Sequence, residues 1–375
     1  MTMPITKIAR VPFAVFAISF AAACSDEARV VTDTTEPSDI DQPAATDGDH
    51  DGETAPDSSG GSGSEEPGSI DETGSNGGTS GEPGKTDSNG EPTPFSNPRG
   101  ACETSARVGR FSVEKQIDFG VIQGVVSEGV VPTAIPNVVA EAGRCRLLER
   151  RNLACLPACV GAETCGELGS CIPYPRQVSV GEVSLLGLTR EIAMSPLSPG
   201  NSYFSPGADN PPYEIASQIV LSAAGEGSIP EFQLFGIGSE PLPEAPSWVL
   251  EVGSELVLDW AALTTNVATT VLVELTIDQH GITPLSLSCE FEDTGSATVP
   301  AAIIDRLISS GVTGFPNGRI TRRTADHVEL EIGCVELVVG SPLAASVGVA
   351  GFTPCSAPSD CPMDKVCNLT LQRCE

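Results

Sequence analysis

The sequence predicts a mainly β protein: a disulfide-stapled β-sandwich with one short helix and small cysteine-rich knots, preceded by a disordered acidic tether. Three observations carry this expectation. Beyond Gly100, apolar residues recur at every second position in short runs bounded by Gly, Pro, Asn and Ser, the period of a half-buried strand. Twelve of the thirteen cysteines lie after residue 100, as in chains that fold under oxidising conditions. Before Gly100 the chain is Gly, Ser, Pro, Thr, Asp and Glu with hardly an apolar side chain, and such a composition cannot offset its ordering entropy.

Residues 1–23 read as a signal peptide. Lys7 and Arg10 form a positive head, and Val11 to Ala23 is uncharged and apolar. As a helix that stretch would reach only about 20 Å, short of a hydrocarbon core of roughly 30 Å, so a retained membrane span is the weaker reading. The run Ala21-Ala22-Ala23-Cys24 resembles the lipobox of bacterial lipoproteins. The resemblance implies diacylglycerol on the Cys24 thiol, removal of the preceding peptide, and acylation of the new amino group. Where that motif most often carries Leu, this chain has Ala21, and plain secretion after the Ala21-x-Ala23 pattern is the alternative. Ser25 lacks the Asp that holds enteric lipoproteins at the inner membrane, which points to the outer membrane.

Residues 24–100 form the tether. Between Ser25 and Gly100 lie eighteen acidic residues against Arg29, Lys85 and Arg99, a net −15 of the chain's −30. A flexible coil of this length has an end-to-end distance of about 45–50 Å, and charge repulsion lengthens it.

With Cys24 lipidated, twelve cysteines remain: Cys102, Cys145, Cys155, Cys159, Cys165, Cys171, Cys289, Cys334, Cys355, Cys361, Cys367 and Cys374. Six disulfides would use them all, whereas secretion with Cys24 retained leaves one thiol over. Eight fall into two similar clusters, each ending in a C-x5-C-x5/6-C ladder. These predict a cysteine-rich insert over 145–174 and a C-terminal knot over 352–375, too short and polar to fold without cross-links. The ladder resembles short extracellular modules of the EGF-like or Dickkopf type. Structural zinc is the rival, but the C-x2-C knuckle is missing, so no metal and no cofactor is expected. The run Gly143-Arg144-Cys145-Arg146-Leu147-Leu148, the cluster to Cys171, Tyr174-Pro175 and Val180-Gly181 are similar to uncharacterised lipoproteins of myxobacteria, a resemblance that implies no activity.

The stretch 101–351 reads as one β-sandwich domain, with two smaller β-domains dividing near Ser195 to Asn210 as the alternative. Expected inward rows are Ile117, Phe119, Val121 and Val125; Leu256, Leu258 and Trp260; Val271, Val273, Leu275 and Ile277, with Glu274, Thr276 and Asp278 opposite; Leu285, Leu287, Cys289 and Phe291; and Val328, Leu330, Ile332 and Cys334. A Cys289–Cys334 bridge would join the last two rows. One helix is expected, with Pro300 in its first turn, Ile303, Ile304, Leu307 and Ile308 on one stripe, and Gly311 as its stop. Ser195 to Pro212 reads as a long surface loop.

Chemistry is thinly signalled. Only His280 and His327 lie in the folded part, and there is no G-x-S-x-G elbow, H-E-x-x-H helix or phosphate loop. Asp47, Asp49, Asp51 and Gly52 begin a calcium-loop pattern that fails at Ser58. Asp259, Glu274, Asp278, Glu290, Glu292 and Asp293 supply carboxylates for a membrane-anchored glycan or peptide hydrolase, the alternative to a non-enzymatic role. Two basic groups, Arg144, Arg146, Arg150, Arg151 and then Arg319, Arg322, Arg323, suit contact with an anionic envelope polysaccharide or an acidic protein. A pI near 4.3 argues against nucleic acid. The expected role is a lipid-anchored outer-membrane lipoprotein that binds an envelope component or serves a structural purpose.

Overall fold

A computed structural model describes residues 97–265, 267–281 and 284–375. The signal peptide, Cys24, the calcium-like run and the tether as far as residue 96 lie outside the described residues. In chain order the strands are β1 Arg107–Lys115, β2 Gly120–Val126, β3 Asn137–Ala142, β4 Cys145–Glu149, β5 Glu163–Cys165, β6 Cys171–Pro173, β7 Val183–Leu186, β8 Ile192–Met194, β9 Tyr203–Ser205 and β10 Gln218–Ala223. They continue as β11 Phe232–Ile237, β12 Ser247–Leu250, β13 Leu256–Asp259, β14 Thr270–Thr276, β15 Leu285–Glu292, β16 Ser296–Val299, β17 Asn317–Leu330, β18 Gly333–Val349, β19 Cys367–Asn368 and β20 Arg373–Cys374. Helix α1, Ala301–Ser309, follows β16.

One large sheet runs β3-β4-β15-β14-β17-β18-β1-β2-β9, and β12 adds in parallel beside the far half of β18. At its centre the β17–β18 hairpin keeps register from Asn317↔Ser346 to Leu330↔Gly333. Gly333 carries φ +132° at this turn, and a Cβ there would lie 2.6 Å from Val108 Cγ1, so only glycine is tolerated. The hairpin is long enough to pass through two hydrophobic cores. The first core holds Val271, Val273, Leu275, Leu287, Cys289 and Ile320, and it is closed by the β13–β16 ribbon, β12 and α1. The second holds Phe111, Val113, Ile122, Leu337 and Val339, packed on the smaller sheet β11-β10-β7-β8. The chain crosses between the two cores more than once, and residues on both sides of the 195–210 stretch, Met194 and Tyr213, belong to the second.

The helix forms as its sequence dictates: Pro300 takes the N-cap at φ −61°, Ile303, Ile304 and Leu307 are buried, Ile308 packs beside them, and Gly311 follows at φ +122°. Alternation places Val271, Val273, Leu275 and Ile277 inward, along with Leu285, Leu287, Cys289 and Phe291. Other rows differ. Ile117 and Phe119 are exposed, because the β1–β2 connection turns at Gln116–Phe119 and the strand begins only at Gly120. The buried row is Ile122, Gly124 and Val126, one residue out of phase with the expected one. Val328, Leu330 and Ile332 are half-buried, since the chain reverses at Glu331–Ile332 before Cys334. Within the expected 195–212 loop, β9 pairs with β2 and buries Tyr203.

Six disulfides use all twelve of these cysteines. The expected Cys289–Cys334 bridge is replaced by Cys145–Cys289 and Cys102–Cys334. Cys289 faces Cys145 across β15 and β4, whereas Cys334 begins β18 where the N-terminal segment passes. Cys145 therefore belongs to the sheet, and the insert expected over 145–174 shrinks to a knot closed by Cys155–Cys165 and Cys159–Cys171. The C-terminal knot repeats that interleaved order with Cys355–Cys367 and Cys361–Cys374. The two long-range bridges close nested loops of 232 and 144 residues, and a single loop of this length is worth about 5 kcal/mol in the chain-entropy account.

Two predictions follow from this packing. Gly124 sits across from Phe111 in the ladder, and a Cβ would come within 2.1 Å of the ring. Gly124→Ala should lower stability by about 1–3 kcal/mol, seen as an earlier urea midpoint. Tyr213 donates its hydroxyl to Gly340 O at 3.0 Å, and burial pushes the phenol up from 10.0 to about 12. Because the folded value lies above the unfolded one, its stabilisation is complete below pH 10.0 and is lost as pH rises towards 12. The alkaline fall in the thermal midpoint should be shallower in Tyr213→Phe.

Candidate functional site

Three charged clusters occupy the central hairpin. Arg322 and Asp293 are buried together, with side chains 1% and 2% exposed, and form a two-pronged pair at 2.6 and 3.1 Å. Arg322 also donates to Glu240 O and Ala261 O, while Asp293 accepts from Trp260 Nε1 at 2.8 Å and Thr269 Oγ1 at 2.6 Å. Glu336, fully buried, accepts from Arg107, Arg110 and the Cys102 amide. Burial followed by the neighbouring Arg110 charge lowers the Arg107 guanidinium from its usual range. Asp326, also fully buried, accepts from the Arg99 side chain and the Phe235 amide. The three carboxylates are interior and satisfied, while Arg99 and Arg110 reach them from the exposed surface.

Arg322 and Arg323 are thus not surface contacts, which corrects the reading of the second basic group; only Arg319 is exposed. In the first group Arg144 pairs with Glu292 at 2.7 Å, Arg146 with Glu141 at 3.2 Å, and Arg151 with Glu167. Arg150 is exposed and borders a shallow groove of about 580 Å³ that also takes in Tyr174, Pro136 and Leu148. Among the expected carboxylates, Asp278 is buried instead of facing solvent. It accepts the Gly281 and His280 amides and the Thr313 hydroxyl, shaping the turn after β14. His280 Nε2 lies 2.8 Å from Gln372 Oε1, tying that turn to the C-terminal knot, and His327 Nδ1 lies 2.9 Å from Gly100 O. Glu274 and Asp259 face outward.

A cleft lies where the big sheet changes partners. Ladder pairing of β14 with β17 starts at Thr270↔Arg323, and beyond it the N-terminal segment takes the place beside β17, with the Gly100 amide donating to Ala325 O at 2.8 Å. Between them opens a cleft of about 800 Å³, within the roughly 300–1,000 Å³ of small-ligand sites. Its walls include Pro98, Ala101, Ile237, Val267 and Ala268, with Glu290 and Arg323 across the floor. Arg323 is 7% exposed and gives one Nη2 bond to Glu290 at 3.1 Å, while its buried Nε has no partner among the described residues. Thr265 Oγ1, on the same cleft, is likewise buried without one. No sequence motif marks this place, because its residues come from six separate stretches of chain.

No helix among the described residues is long and apolar enough to cross a membrane, and six disulfides are the chemistry of an oxidising, extracytoplasmic compartment. No family model and no curated protein matches the chain. Among solved structures, the FN1–FN3 domains of chicken CNTN1 align at 8% identity over 61% of this chain and 68% of that one, with a TM-score of 0.14, too low to bear on fold or function.

Proposed function

We propose that this chain is a lipid-anchored cell-envelope lipoprotein, delivered to the outer membrane, whose disulfide-stapled β-sandwich stands off on an acidic tether and serves a non-enzymatic binding or structural role. One observation carries the reading. All twelve cysteines after residue 100 are consumed in pairs within the folded part, so the thirteenth, Cys24, has no cysteine left in the chain to join. It is also the residue at the end of the lipobox-like run, where a thioether to lipid is the chemistry that removes a lone thiol. The exposed Arg150 beside Tyr174 offers one contact for an envelope polysaccharide or acidic protein. For a hydrolase, Asp293 and Asp278 are the wrong carboxylates, since each is committed to several internal hydrogen bonds.

The test is the intact mass of natively expressed protein from the membrane fraction, alkylated without reduction. The expected mass begins at Cys24, carries three acyl chains, or two with a free amino group, and shows no alkylated thiol. An unlipidated mass with one alkylated cysteine would overturn the anchor and make the protein a secreted one.

A further inference from the structure

We propose, building on the binding role above, that the groove beside Arg150 and Tyr174 binds an uncharged sugar ring of a polysaccharide, stacked on Tyr174 and hydrogen-bonded along the outer face of the big sheet. The groove holds about 580 Å³, within the range of small-ligand sites. Its aromatic side is built by the first cysteine knot. The β5–β6 pairing runs to Glu163↔Pro173, and the Tyr174 amide then donates to Ala162 O at 2.8 Å. Tyr174 is half exposed, whereas Tyr203 and Tyr213 are buried. A ring held in this way offers an apolar face to the C–H side of a pyranose while its hydroxyl stays wet.

The floor extends the groove as a polar strip. Leu148, Ser286 and Thr276 stand opposite one another across β4, β15 and β14, and Thr276 pairs in turn with Asn317 on β17. Their sequence neighbours Leu285, Leu287, Leu275 and Ile277 fill the first core, so this row faces outward. Across three strands the row of Ser286, Thr276 and Asn317 is about 10 Å long, enough for more than one sugar ring. Hydroxyl and amide side chains offer both donors and acceptors, as sugar hydroxyls do, and the groove adds Arg150 as a donor and Glu149 as an acceptor. Charge sets the class of ligand. An anionic sugar or an acidic peptide would meet Glu149 and a chain of net charge −30, and a cationic ligand would meet Arg150. A neutral polyol uses both groups at once.

Because the other two tyrosines of the chain are buried, Tyr174 alone should give a tyrosine signal in photo-CIDNP NMR of the full-length oxidised protein. Neutral trisaccharides of glucose, mannose, galactose and N-acetylglucosamine are added at millimolar concentration, and at least one should suppress that signal. Saturation-transfer NMR on the protons of the same sugar should then show binding weakened at least about tenfold in Tyr174→Ala and in Arg150→Ser. Tyr174→Phe, which keeps the ring, should retain binding, and Arg306→Gln on the exposed side of α1 should leave it unchanged. No suppression by any of the four sugars, undiminished binding in Tyr174→Ala, or tighter binding of a trigalacturonate or of an uncharged tetrapeptide would overturn the site. A lipidated protein that ignores all four sugars loses this site and keeps its anchor, and sugar binding by an unlipidated protein removes only the anchor.

Discussion

Burying an ion pair costs several kcal/mol of desolvation per charge, and Arg322–Asp293 is a place where this chain accepts that cost. The pair sits at the seam between two hydrophobic cores. Along β17, Ile320 belongs to the first core and Val328 packs on the second, and the alternate residues between them on that face are Arg322, Thr324 and Asp326. Arg322 reaches the crossover segment at Glu240 O and the loop at Ala261 O, and Asp293 gathers Trp260 and Thr269. Five stretches of chain, at 240, 260–261, 269, 293 and 322, are fixed to one another through a single satisfied cluster. Replacing it with apolar side chains would cost little in energy but would remove the geometric constraint that sets the two cores in register.

The remaining seam residues solve a second problem, the open edge of the smaller sheet. The outer edge of β11 would present unpaired backbone groups. The Phe235 amide donates instead to Asp326 at 2.8 Å, and Thr324 Oγ1 both accepts from the Ile237 amide and donates to its carbonyl. Side chains of one strand thereby stand in for the missing neighbour of another. The same hairpin anchors the described N-terminal segment, through Arg99 on Asp326, the Cys102 amide on Glu336 and the Cys102–Cys334 bridge.

Much of the first core was legible in the sequence, because its strands alternate cleanly and its helix has Pro300 and Gly311 as punctuation. The second core was harder to read. β1 buries Val108, Phe111 and Val113, with Gly109 and Ser112 breaking the pattern, and β2 places Gly124 in its inward row beneath Phe111. A glycine under an aromatic ring erases the apolar period that reveals a strand. Arg322 and Arg323 were misread for a related reason: a pair of arginines in sequence looks solvated, and nothing local shows that Asp293 and Glu290 await them. Disulfide order, like the cleft lined by Pro98, Ile237 and Arg323, depends on contacts between distant segments, which spacing alone does not encode.

The central claim is that the Arg322–Asp293 cluster couples the two cores, and hydrogen exchange measured segment by segment in Asp293→Ala tests it most directly. Leaving Arg322 buried and unpaired should cost about 3–5 kcal/mol. The account predicts that protection falls together in β14 and β15 of the first core and in β10 and β11 of the second, with one cooperative unfolding transition. Loss of protection confined to β14 and β15, with β10 and β11 exchanging as in the native protein, would contradict it.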